Sequence, residues 1–500
     1  MTLLNTIGFG LLLVYTISLV YVTIFCLMQL HLLYRYVRPK KMLSSYSVNS
    51  KTDSKSLYPA PFVTVQLPIY NEKYVIGRLI DCIADFDYPM DRFEIHILDD
   101  STDDTVAIVA EKVAHYQSMG YNIRQIIRGD RVGFKAGALK DAMGEAKGDY
   151  IAIFDADFLP KRDFLLSTLD HFSNPQVGVV QTRWEHINQG YSLLTELQAF
   201  QLNVHFTIEQ KGRYKAGYML QFNGTAGVWR KSCIEDAGGW EADTLTEDLD
   251  LSYRAQLKGW EIVYREDVTA PAELPIEING LKSQQFRWMK GGAETARKVL
   301  PKVWASEITL VKKIQATVHL ISSSIFLFVF ILGVFSVPII FLLVPLGIDS
   351  SKFVVFLVSL LSIVIVYFVA NVGVAWPRES KIKMVFKFLI LFPVFLALSM
   401  GLAFHNSWAV LQGFFGKQST FVRTPKYGIT TERKFNVNKS YFSNKIDWIT
   451  VGEGFLAIYF IMGLYLGWTM DVMDFFSLHV LLASGYLILF YYSIESKFLK

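Results

Sequence analysis

Residues 150–158 read Tyr-Ile-Ala-Ile-Phe-Asp-Ala-Asp-Phe, a short apolar run that ends in two aspartates one residue apart. Aromatic and β-branched residues in a run of this length are typical of a buried strand. Asp155 and Asp157 therefore stand just past the end of a strand, where both carboxylates can turn toward one point. The run predicts a sheet with an acidic edge.

Strand-like and helix-like segments alternate on the N-terminal side of this run. The predicted strands cover residues 62–67, 93–98, 122–127 and 150–154, and the predicted helices cover 73–86, 104–116 and 136–144. This alternation predicts an α/β fold with a parallel, doubly wound, Rossmann-like sheet, in which ligands bind at the carboxyl ends of the strands. The glycines match neither a GxGxxG nor a Walker A loop, which argues against a dinucleotide-binding fold and against an ATPase.

Three of the predicted strands place polar residues at one edge of the sheet. The residues that follow them are Pro68, Tyr70, Asn71 and Glu72, then Asp99 and Asp100, then Asp155 and Asp157. A role as a helix cap explains any one of these acids equally well. Several carboxylates at one edge, however, repel each other unless a cation offsets their negative charge. Mg²⁺ or Mn²⁺ held by one or two carboxylates and by substrate phosphates fits this pattern. The edge therefore suggests a site for a metal-bound diphosphate.

Three further motifs each allow a structural and a functional interpretation. Lys135 opens a helix among small residues, as a phosphate site or an ordinary helix start would. Glu247 and Asp248 either complement a helix dipole or face the cleft, with Asp248 as a general base. The segment 284–288, Gln-Gln-Phe-Arg-Trp, either holds a diphosphate and stacks on a sugar or anchors the chain at a bilayer surface.

The composition places part of the chain in a membrane. Of 500 residues, 52% are apolar and 19% are charged, and the mean hydropathy of +0.30 argues against a purely soluble or a disordered protein. The net charge of +4 gives no reason to expect a nucleic acid as partner. Cys26, Cys82 and Cys233 predict neither a disulfide framework nor a zinc site. The uncharged runs that mark membrane segments are residues 1–34, 314–348, 353–377, 388–416, 454–470 and 475–494.

The positive-inside rule predicts how these runs cross the bilayer. Basic residues lie on both sides of run 388–416, so we expect that run to be interfacial or re-entrant, and the polar His405 and Asn406 within it favour the same conclusion. The five other runs then place the N-terminus outside and the soluble domain in the cytoplasm. The predicted divisions are a transmembrane anchor (1–34), a soluble domain (50–288), an interfacial helix (289–313), two transmembrane helices (314–377), an interfacial or re-entrant helix with a loop (384–447) and two transmembrane helices (453–495).

Together these motifs resemble the processive family 2 glycosyltransferases of the cellulose synthase superfamily, and above all the plant mannan and glucan synthases and their bacterial relatives. The matching stretches are LPIYNE (67–72), LDDSTDDT (98–105), FKAGALK (134–140), HFTIEQ (205–210), FNGTAGVWR (222–230), TEDLDLSYRAQLKGW (246–260) and QQFRW (284–288). The resemblance implies a GT-A domain inserted between an N-terminal transmembrane helix and a C-terminal α-helical membrane bundle. The stretch FVRTPK (421–426) resembles the gating loop of bacterial cellulose synthase, with Arg423 in place of a valine.

The resemblance also implies a role for each matching residue. Asp248 is implied as the catalytic base, and Asp155 and Asp157 as the ligands of Mg²⁺ or Mn²⁺. The residues expected to bind the nucleotide sugar or the acceptor are Pro68, Tyr70, Asn71, Glu72, Asp99, Asp100, Lys135, Asn223, Gly224, Thr225, Glu247, Gln284, Arg287, Trp288, Thr424 and Lys426.

The activity that the resemblance implies is inverting transfer of a hexose from a nucleotide sugar, UDP-glucose or GDP-mannose, to a growing β-linked glycan. Export of the product and the presence of accessory subunits stay open. One alternative is the transfer of a single sugar to a lipid acceptor, and another is a membrane protein that senses a nucleotide sugar without catalysis. We expect a multi-pass protein with its catalytic domain in the cytoplasm, in a plasma or inner membrane rather than in the Golgi.

Overall fold

The computed structural model describes residues 3–38, 60–343, 346, 356–373, 380–419, 422–430 and 447–498. Its soluble part is built on a single sheet of seven strands: β1 (Val63–Ile69), β2 (Phe93–Asp99), β3 (Ile123–Ile127), β4 (Tyr150–Ile153), β5 (Val177–His186), β6 (Gly227–Arg230) and β7 (Glu261–Ala272). The strands lie in the order β3-β2-β1-β4-β6-β5-β7. The first four are the strands predicted from the sequence, and they pair in parallel as expected.

Beyond β4, where no strand was predicted, the sheet is mixed. Strand β6 runs antiparallel to both β4 and β5, whereas β7 is parallel to β5. The reason is local, because β6 starts at the edge of the sheet where β4 ends: the amide of Ala226 donates to the carbonyl of Ile153 at 2.9 Å. A strand that starts at that edge can only run back across the sheet. The mixed sheet thereby brings Asn223 and Gly224 next to the aspartates that follow β4.

Helices cover both faces of the sheet. They are α2 (Ile76–Ala84), α3 (Thr105–Ser118), α4 (Phe134–Ala142), α5 (Phe164–Leu169), α6 (Leu193–Val204), α7 (Lys211–Ala216), α8 (Lys231–Asp236) and α9 (Glu247–Leu257), and α1 (Leu3–Val37) precedes them. On one face Leu79 and Ile83 of α2 pack on Val65 of β1, all fully buried. On the other face Leu139 of α4 and Leu251 of α9 belong to a second buried cluster. With apolar side chains on both faces, the sheet is a rigid core whose edge presents the polar groups.

The C-terminal half is helical. Its helices are α10 (Ile278–Ala305), α11 (Leu310–Leu320), α12 (Ile325–Leu343), α13 (Leu357–Phe368), α14 (Lys381–Gly401), α15 (Ala403–Phe414), α16 (Trp448–Thr469) and α17 (Phe476–Phe498). By length and composition, five helical stretches among the described residues can cross a membrane: Thr6–Val37, Ser322–Leu343, Lys381–Gly401, Trp448–Thr469 and Met473–Glu495. The chain is therefore a membrane protein.

Helix α14 lies against the soluble part although it is long enough to cross a membrane. Phe388 and Phe395, about two turns apart, both pack on Phe200 of α6, with ring centroids separated by 5.8 and 5.5 Å. In α15, the ring of His405 packs on Phe286 of α10 at 5.9 Å. Helix α14 also packs along α17, another helix that is long enough to cross a membrane, so these contacts fit a crossing path as well as an interfacial or re-entrant one. How that run meets the bilayer stays a prediction.

One predicted boundary between units falls inside a helix of the structure. Helix α10 runs without interruption through residues 288 and 289, where the sequence suggested the end of one unit and the start of another. The motif 284–288 therefore lies within a long helix. Other parts of the predicted units fall outside the described residues: 1–2, 50–59, 344–345, 347–355, 374–377, 420–421 and 431–446.

Candidate active site

An open cleft lies at the carboxyl ends of β1, β2 and β4, closed on its other sides by α9, α10 and the segment 423–426. Most of the residues predicted from the sequence line it together: Pro68, Tyr70, Glu72, Asp100, Lys135, Asp155, Asp157, Asn223, Gly224, Glu247, Asp248, Gln284, Arg287, Trp288, Thr424 and Lys426. Residues from opposite ends of the sequence thus form one concave surface, as expected for a binding site in this kind of sheet.

Asp248 lies in the first turn of α9, where its Oδ1 accepts a hydrogen bond from the amide of Leu249 at 2.8 Å. Its Oδ2 faces the backbone of Gly224, and a Cβ added to that glycine would lie 3.0 Å from the oxygen. Gly224 also has a φ of +79°, so glycine is needed there for two reasons. Burial and the negative charge of Glu247 raise the pKa of Asp248 to about 7. A carboxylate with this pKa can accept a proton near neutral pH.

Lys135, at the start of α4, connects the strand-end acids with the backbone beside Asp248. Its ammonium group donates to Asp155 Oδ1 at 2.5 Å and to the carbonyl oxygen of Gly224 at 2.8 Å. Burial lowers the pKa of Lys135, but the negative charges of Asp155, Glu247 and Asp248 together outweigh burial and raise that pKa above its usual value. A permanently charged ammonium group in the middle of the cleft is well placed to bind a phosphate group.

Asp155 and Asp157 point to different cations. Asp155 bonds to Lys135, whereas Asp157 Oδ2 accepts from Lys426 Nζ at 2.8 Å and from the amide of Glu273 at 3.0 Å. Both carboxylates line the cleft and offer the hard oxygen ligands that Mg²⁺ and Mn²⁺ prefer, so the donor set fits such an ion once an ammonium group moves aside.

A second group of acids lies outside the cleft. Within the described residues, Glu241, Asp243 and Asp250 have carboxylate oxygens close enough together to hold one ion. Lys298 Nζ already bonds to all three, at 2.5, 2.7 and 3.1 Å. The group is therefore an ion-pair network that joins α9 to α10.

Three of the predicted site residues, Asn71, Asp99 and Thr225, do not line the cleft. Asp99 is 1% exposed and accepts hydrogen bonds from the Ser101 amide and the Gln125 side chain, at 2.9 and 2.7 Å. The side chain of Asn71 accepts from the amide of Thr102 at 2.8 Å, which ties the ends of β1 and β2 together. Thr225 Oγ1 accepts from the amide of Asp155 at 2.9 Å. In this structure these side chains therefore bond to protein groups and hold the walls of the cleft in place.

The segment 423–426 reaches into the cleft by ion pairs and hydrogen bonds. Arg423 donates two hydrogen bonds to the carboxylate of Glu72, at 2.9 and 2.8 Å. Burial raises the pKa of Glu72 to about 7 even though the charge of Arg423 opposes this. Thr424 Oγ1 accepts from Arg287 Nη2 at 3.0 Å, so α10 and this segment also meet directly.

Glu273, which follows β7, anchors the same segment and was not predicted. Its buried carboxylate accepts hydrogen bonds from the amides of Tyr427, Gly428 and Ile429, at 2.8, 2.9 and 3.2 Å. Arg78 of α2 lies 3.3 Å from the same carboxylate. No motif marks Glu273, because its partners lie more than 150 residues further along the chain or on another helix.

Arg131 was also missed. Its guanidinium carbon lies 3.3 Å from the ring centroid of Tyr70, a cation–π stack at the wall of the cleft. A lone arginine in the loop before α4 gives no signal in the sequence, since the stack depends on how the ends of β1 and β3 come together.

Comparison with known proteins agrees with this geometry. Residues 59–291 match the family model described as glycosyltransferase like family 2. Over 244 residues the chain is 44% identical to the probable glucomannan 4-beta-mannosyltransferase 3 of Oryza sativa subsp. japonica, covering 48% of this chain and 44% of the relative. Over 259 residues it is 42% identical to glucomannan 4-beta-mannosyltransferase 7 of Arabidopsis thaliana, covering 51% and 47%. The chain thus spans about half the length of these curated relatives.

Among solved structures, a mannosyltransferase from Pyrobaculum calidifontis, PcManGT, in complex with GDP-Man and Mn²⁺, superposes with a TM-score of 0.53. That match covers 83% of this chain and 100% of the other at 18% identity, which shows a shared fold. The sequence expectation is thereby confirmed: residues 59–291 form a family 2 glycosyltransferase domain with a GT-A fold, joined to apolar helices at both ends.

Proposed function

We propose that this chain is an inverting mannosyltransferase that extends a β-linked glycan from a nucleotide-activated mannose. The observation that carries the proposal is the meeting of Asp248, Lys135 and the two aspartates after β4 in one cleft of a family 2 glycosyltransferase domain. A proton acceptor, a cation for phosphate and oxygen ligands for a metal are the three groups that such a transfer needs.

In the proposed reaction, a hydroxyl group of the acceptor attacks the anomeric carbon of the donor sugar and gives its proton to Asp248. The bond from that carbon to the diphosphate oxygen breaks, and the nucleoside diphosphate leaves with the electron pair. A single displacement inverts the configuration, so an α-linked donor yields a β-linked product and one base is sufficient. The transition state carries oxocarbenium character, as in glycoside hydrolysis.

The chain supplies fixed positive charge where the leaving group forms. Lys135 lies beside Asp155, and Arg287 faces the cleft from α10, so both can contact the diphosphate. Asp155 and Asp157 would hold Mg²⁺ or Mn²⁺, which when bound supplies further positive charge to the departing diphosphate. Lys426, now on Asp157, would then be free to bind a phosphate oxygen itself.

The names of the relatives support the proposed sugar and linkage. The curated proteins at 42–44% identity are named glucomannan 4-beta-mannosyltransferases, which supports mannose as the transferred sugar and a 4-linked product. GDP-mannose is the proposed donor, and UDP-glucose is the competing donor to test. Helix α10 carries Trp288 at the cleft and packs on α15, so the acceptor end of the cleft adjoins the proposed membrane bundle.

We place the catalytic domain on the cytoplasmic face of a plasma or inner membrane. The basic residues Arg35 and Arg38 at the C-terminal end of α1 and Lys381 and Lys383 in the first turn of α14 support this orientation. Tags inserted at the N-terminus and in the segment after α15 test it, because protease must reach the first from outside and the second from the cytoplasm. Access from the same side would overturn the orientation.

The activity is tested with the purified full-length chain in detergent, given labelled GDP-mannose or UDP-glucose, Mg²⁺ or Mn²⁺, and a short β-linked oligosaccharide. We expect a ladder of product lengths from GDP-mannose that endo-β-mannanase degrades, and none from Asp248→Asn. A product of a single sugar on a lipid would replace the proposal with lipid glycosylation. Unchanged product formation by Asp248→Asn would show that Asp248 is not the base.

A further inference from the structure

A row of polar side chains leads from the cleft toward α1 and α11, and Asn223 is its first member. The amide oxygen of Asn223 accepts from Gln221 Nε2 at 2.9 Å and lies 3.0 Å from His205 Nε2. The other ring nitrogen of His205, Nδ1, lies 2.9 Å from Glu209 Oε2. Both ring nitrogens of His205 thus face oxygen atoms.

Glu209 provides a fixed negative charge at the far side of His205. The two residues lie four apart on the π-helical turn His205–Gln210, a rare geometry that often occurs at functional sites. Burial raises the pKa of Glu209, but the hydrogen bond to His205 and the charge of Arg213 outweigh burial and lower the pKa to about 2. Gln29 of α1 donates to the same carboxylate at 2.7 Å. The carboxylate is therefore ionised near neutral pH and is held from two sides.

Asn223 brings this arrangement to the reacting groups. It lines the cleft and directly precedes Gly224, whose backbone contacts both Lys135 and Asp248. Because its oxygen is turned toward His205 and Gln221, its amide nitrogen is buried, with no hydrogen-bond partner among the residues that the structure describes. A buried donor of this kind costs free energy unless a ligand satisfies it.

We infer that His205 and Glu209 are positioning residues for the acceptor. They fix the orientation of the Asn223 side chain, so that its nitrogen donates a hydrogen bond to a hydroxyl group of the acceptor sugar while a second hydroxyl group of the same sugar meets Asp248. The inference rests on the proposed function and extends it to the acceptor side. It separates acceptor binding from donor binding, since the proposed diphosphate contacts are Lys135 and the strand-end acids rather than Asn223.

The test is a double-mutant cycle on the purified full-length chain, with His205→Ala, Asn223→Ala and the double variant. Initial rates are measured against a β-linked manno-oligosaccharide acceptor and, separately, against the donor. Each single variant is expected to raise the acceptor KM about tenfold, the scale of one hydrogen bond, and to leave the donor KM within about twofold. The double variant is expected to match Asn223→Ala alone, because His205 acts through Asn223.

Further variants separate positioning from a role in folding. Glu209→Gln removes the charge at nearly constant shape and is expected to raise the acceptor KM, whereas His205→Gln keeps a side-chain donor and is expected to recover part of the loss. If His205→Ala does not fold, Glu209→Gln and His205→Gln take its place in the cycle with Asn223→Ala. His115→Ala, at an exposed histidine of α3, is the matched control. Effects of His205 and Asn223 that multiply, or an equal rise in the donor KM, would overturn the inference.

Acceptor binding, measured separately from sugar transfer, distinguishes a failure of the proposed function from a failure of the inference on His205 and Glu209. If the wild-type chain transfers no sugar, the proposed function fails, and calorimetric titration with the oligosaccharide still shows whether His205→Ala weakens acceptor binding. If the wild-type chain is active and His205→Ala leaves the acceptor KM unchanged, only the inference on His205 and Glu209 fails.

Discussion

The raised pKa of Asp248 predicts a steep dependence of activity on pH. A proton acceptor must be ionised to work, and burial together with Glu247 moves the pKa of Asp248 from its usual 3.8 to about 7. With that pKa, about one tenth of the enzyme is ionised at pH 6 and about nine tenths at pH 8. We therefore expect kcat/KM for the donor to rise about tenfold between these pH values, because this ratio reports the free enzyme.

Substitution of the neighbouring charge tests the cause. Glu247→Gln removes a negative charge that raises the pKa of Asp248, so the rising part of the pH profile should move to lower pH even if the maximum rate falls. Lys135→Gln should move it to higher pH, because the charge of Lys135 lowers that pKa. Glu247 and Asp248 titrate as a pair, so the variants and the wild type are compared by the pH at which the observed transition occurs. Glu241→Gln, outside the cleft, is the matched control.

The assay is the initial rate of nucleoside diphosphate release at low donor concentration, from pH 5.5 to 8.5 in steps, at constant ionic strength. A profile that is flat across pH 6–8 would refute the assignment of Asp248 as a base with a raised pKa. Profiles of Glu247→Gln and Lys135→Gln that move in the same direction would show that charge is not what sets the transition.

Three other changes have defined outcomes. The ammonium group of Lys282 lies 2.6 Å from the carboxylate of Glu453, and Glu453→Gln leaves it buried without its counter-ion. This change should destabilise the protein by ~3–5 kcal/mol, whereas replacing both residues by methionine should be close to neutral. The thermal midpoint in detergent measures both effects. Glu273→Ala removes the acceptor of three backbone amides in the segment 427–429, and the donor KM should rise about tenfold. Glu273→Gln keeps one acceptor oxygen and should raise the donor KM less. Gly485→Ala would place a Cβ 2.0 Å from the carbonyl oxygen of Ala397 and should lower the thermal midpoint by an overpacking cost of ~1–3 kcal/mol.

Each of these has a control or a contrary result. Gly10→Ala, where no atom lies within 4 Å of the added Cβ, should leave the thermal midpoint unchanged. Equal stability of Glu453→Gln and the wild type would mean that the buried pair is solvated. A donor KM for Glu273→Ala equal to that of the wild type would mean that the segment 423–429 does not contact the donor.

The sequence was informative where local pattern determines structure. The four strands β1–β4 begin and end within two residues of their predicted positions, because apolar runs of this kind have few alternatives in a buried sheet. The aspartates after β4 and the acid pair of α9 were found for the same reason: chemistry at the end of a strand or the start of a helix is readable from its neighbours.

What the sequence did not reveal depends on distant contacts. Arg423 and Glu72 are 351 positions apart, and neither is unusual where it stands. Glu273 and Arg131 lie in no motif, and their roles arise only when β7 and the ends of β1 and β3 come together. The antiparallel β6 was missed because a four-residue strand has no direction of its own. The direction of β6 follows from the place where the preceding segment reaches the sheet, beside the end of β4.

The pairing of Asp155, Asp157 and Glu72 with Lys135, Lys426 and Arg423 has a consequence for how the proposed substrate enters. Each of these three acids already has its own counter-ion, so this part of the cleft carries little net charge before anything binds. A sugar nucleotide accompanied by one divalent ion is close to neutral as a whole, and its arrival rearranges partners without adding charge. Capture should therefore depend only weakly on salt, and selectivity must come from the shape of the cavity and from directed hydrogen bonds, not from long-range attraction.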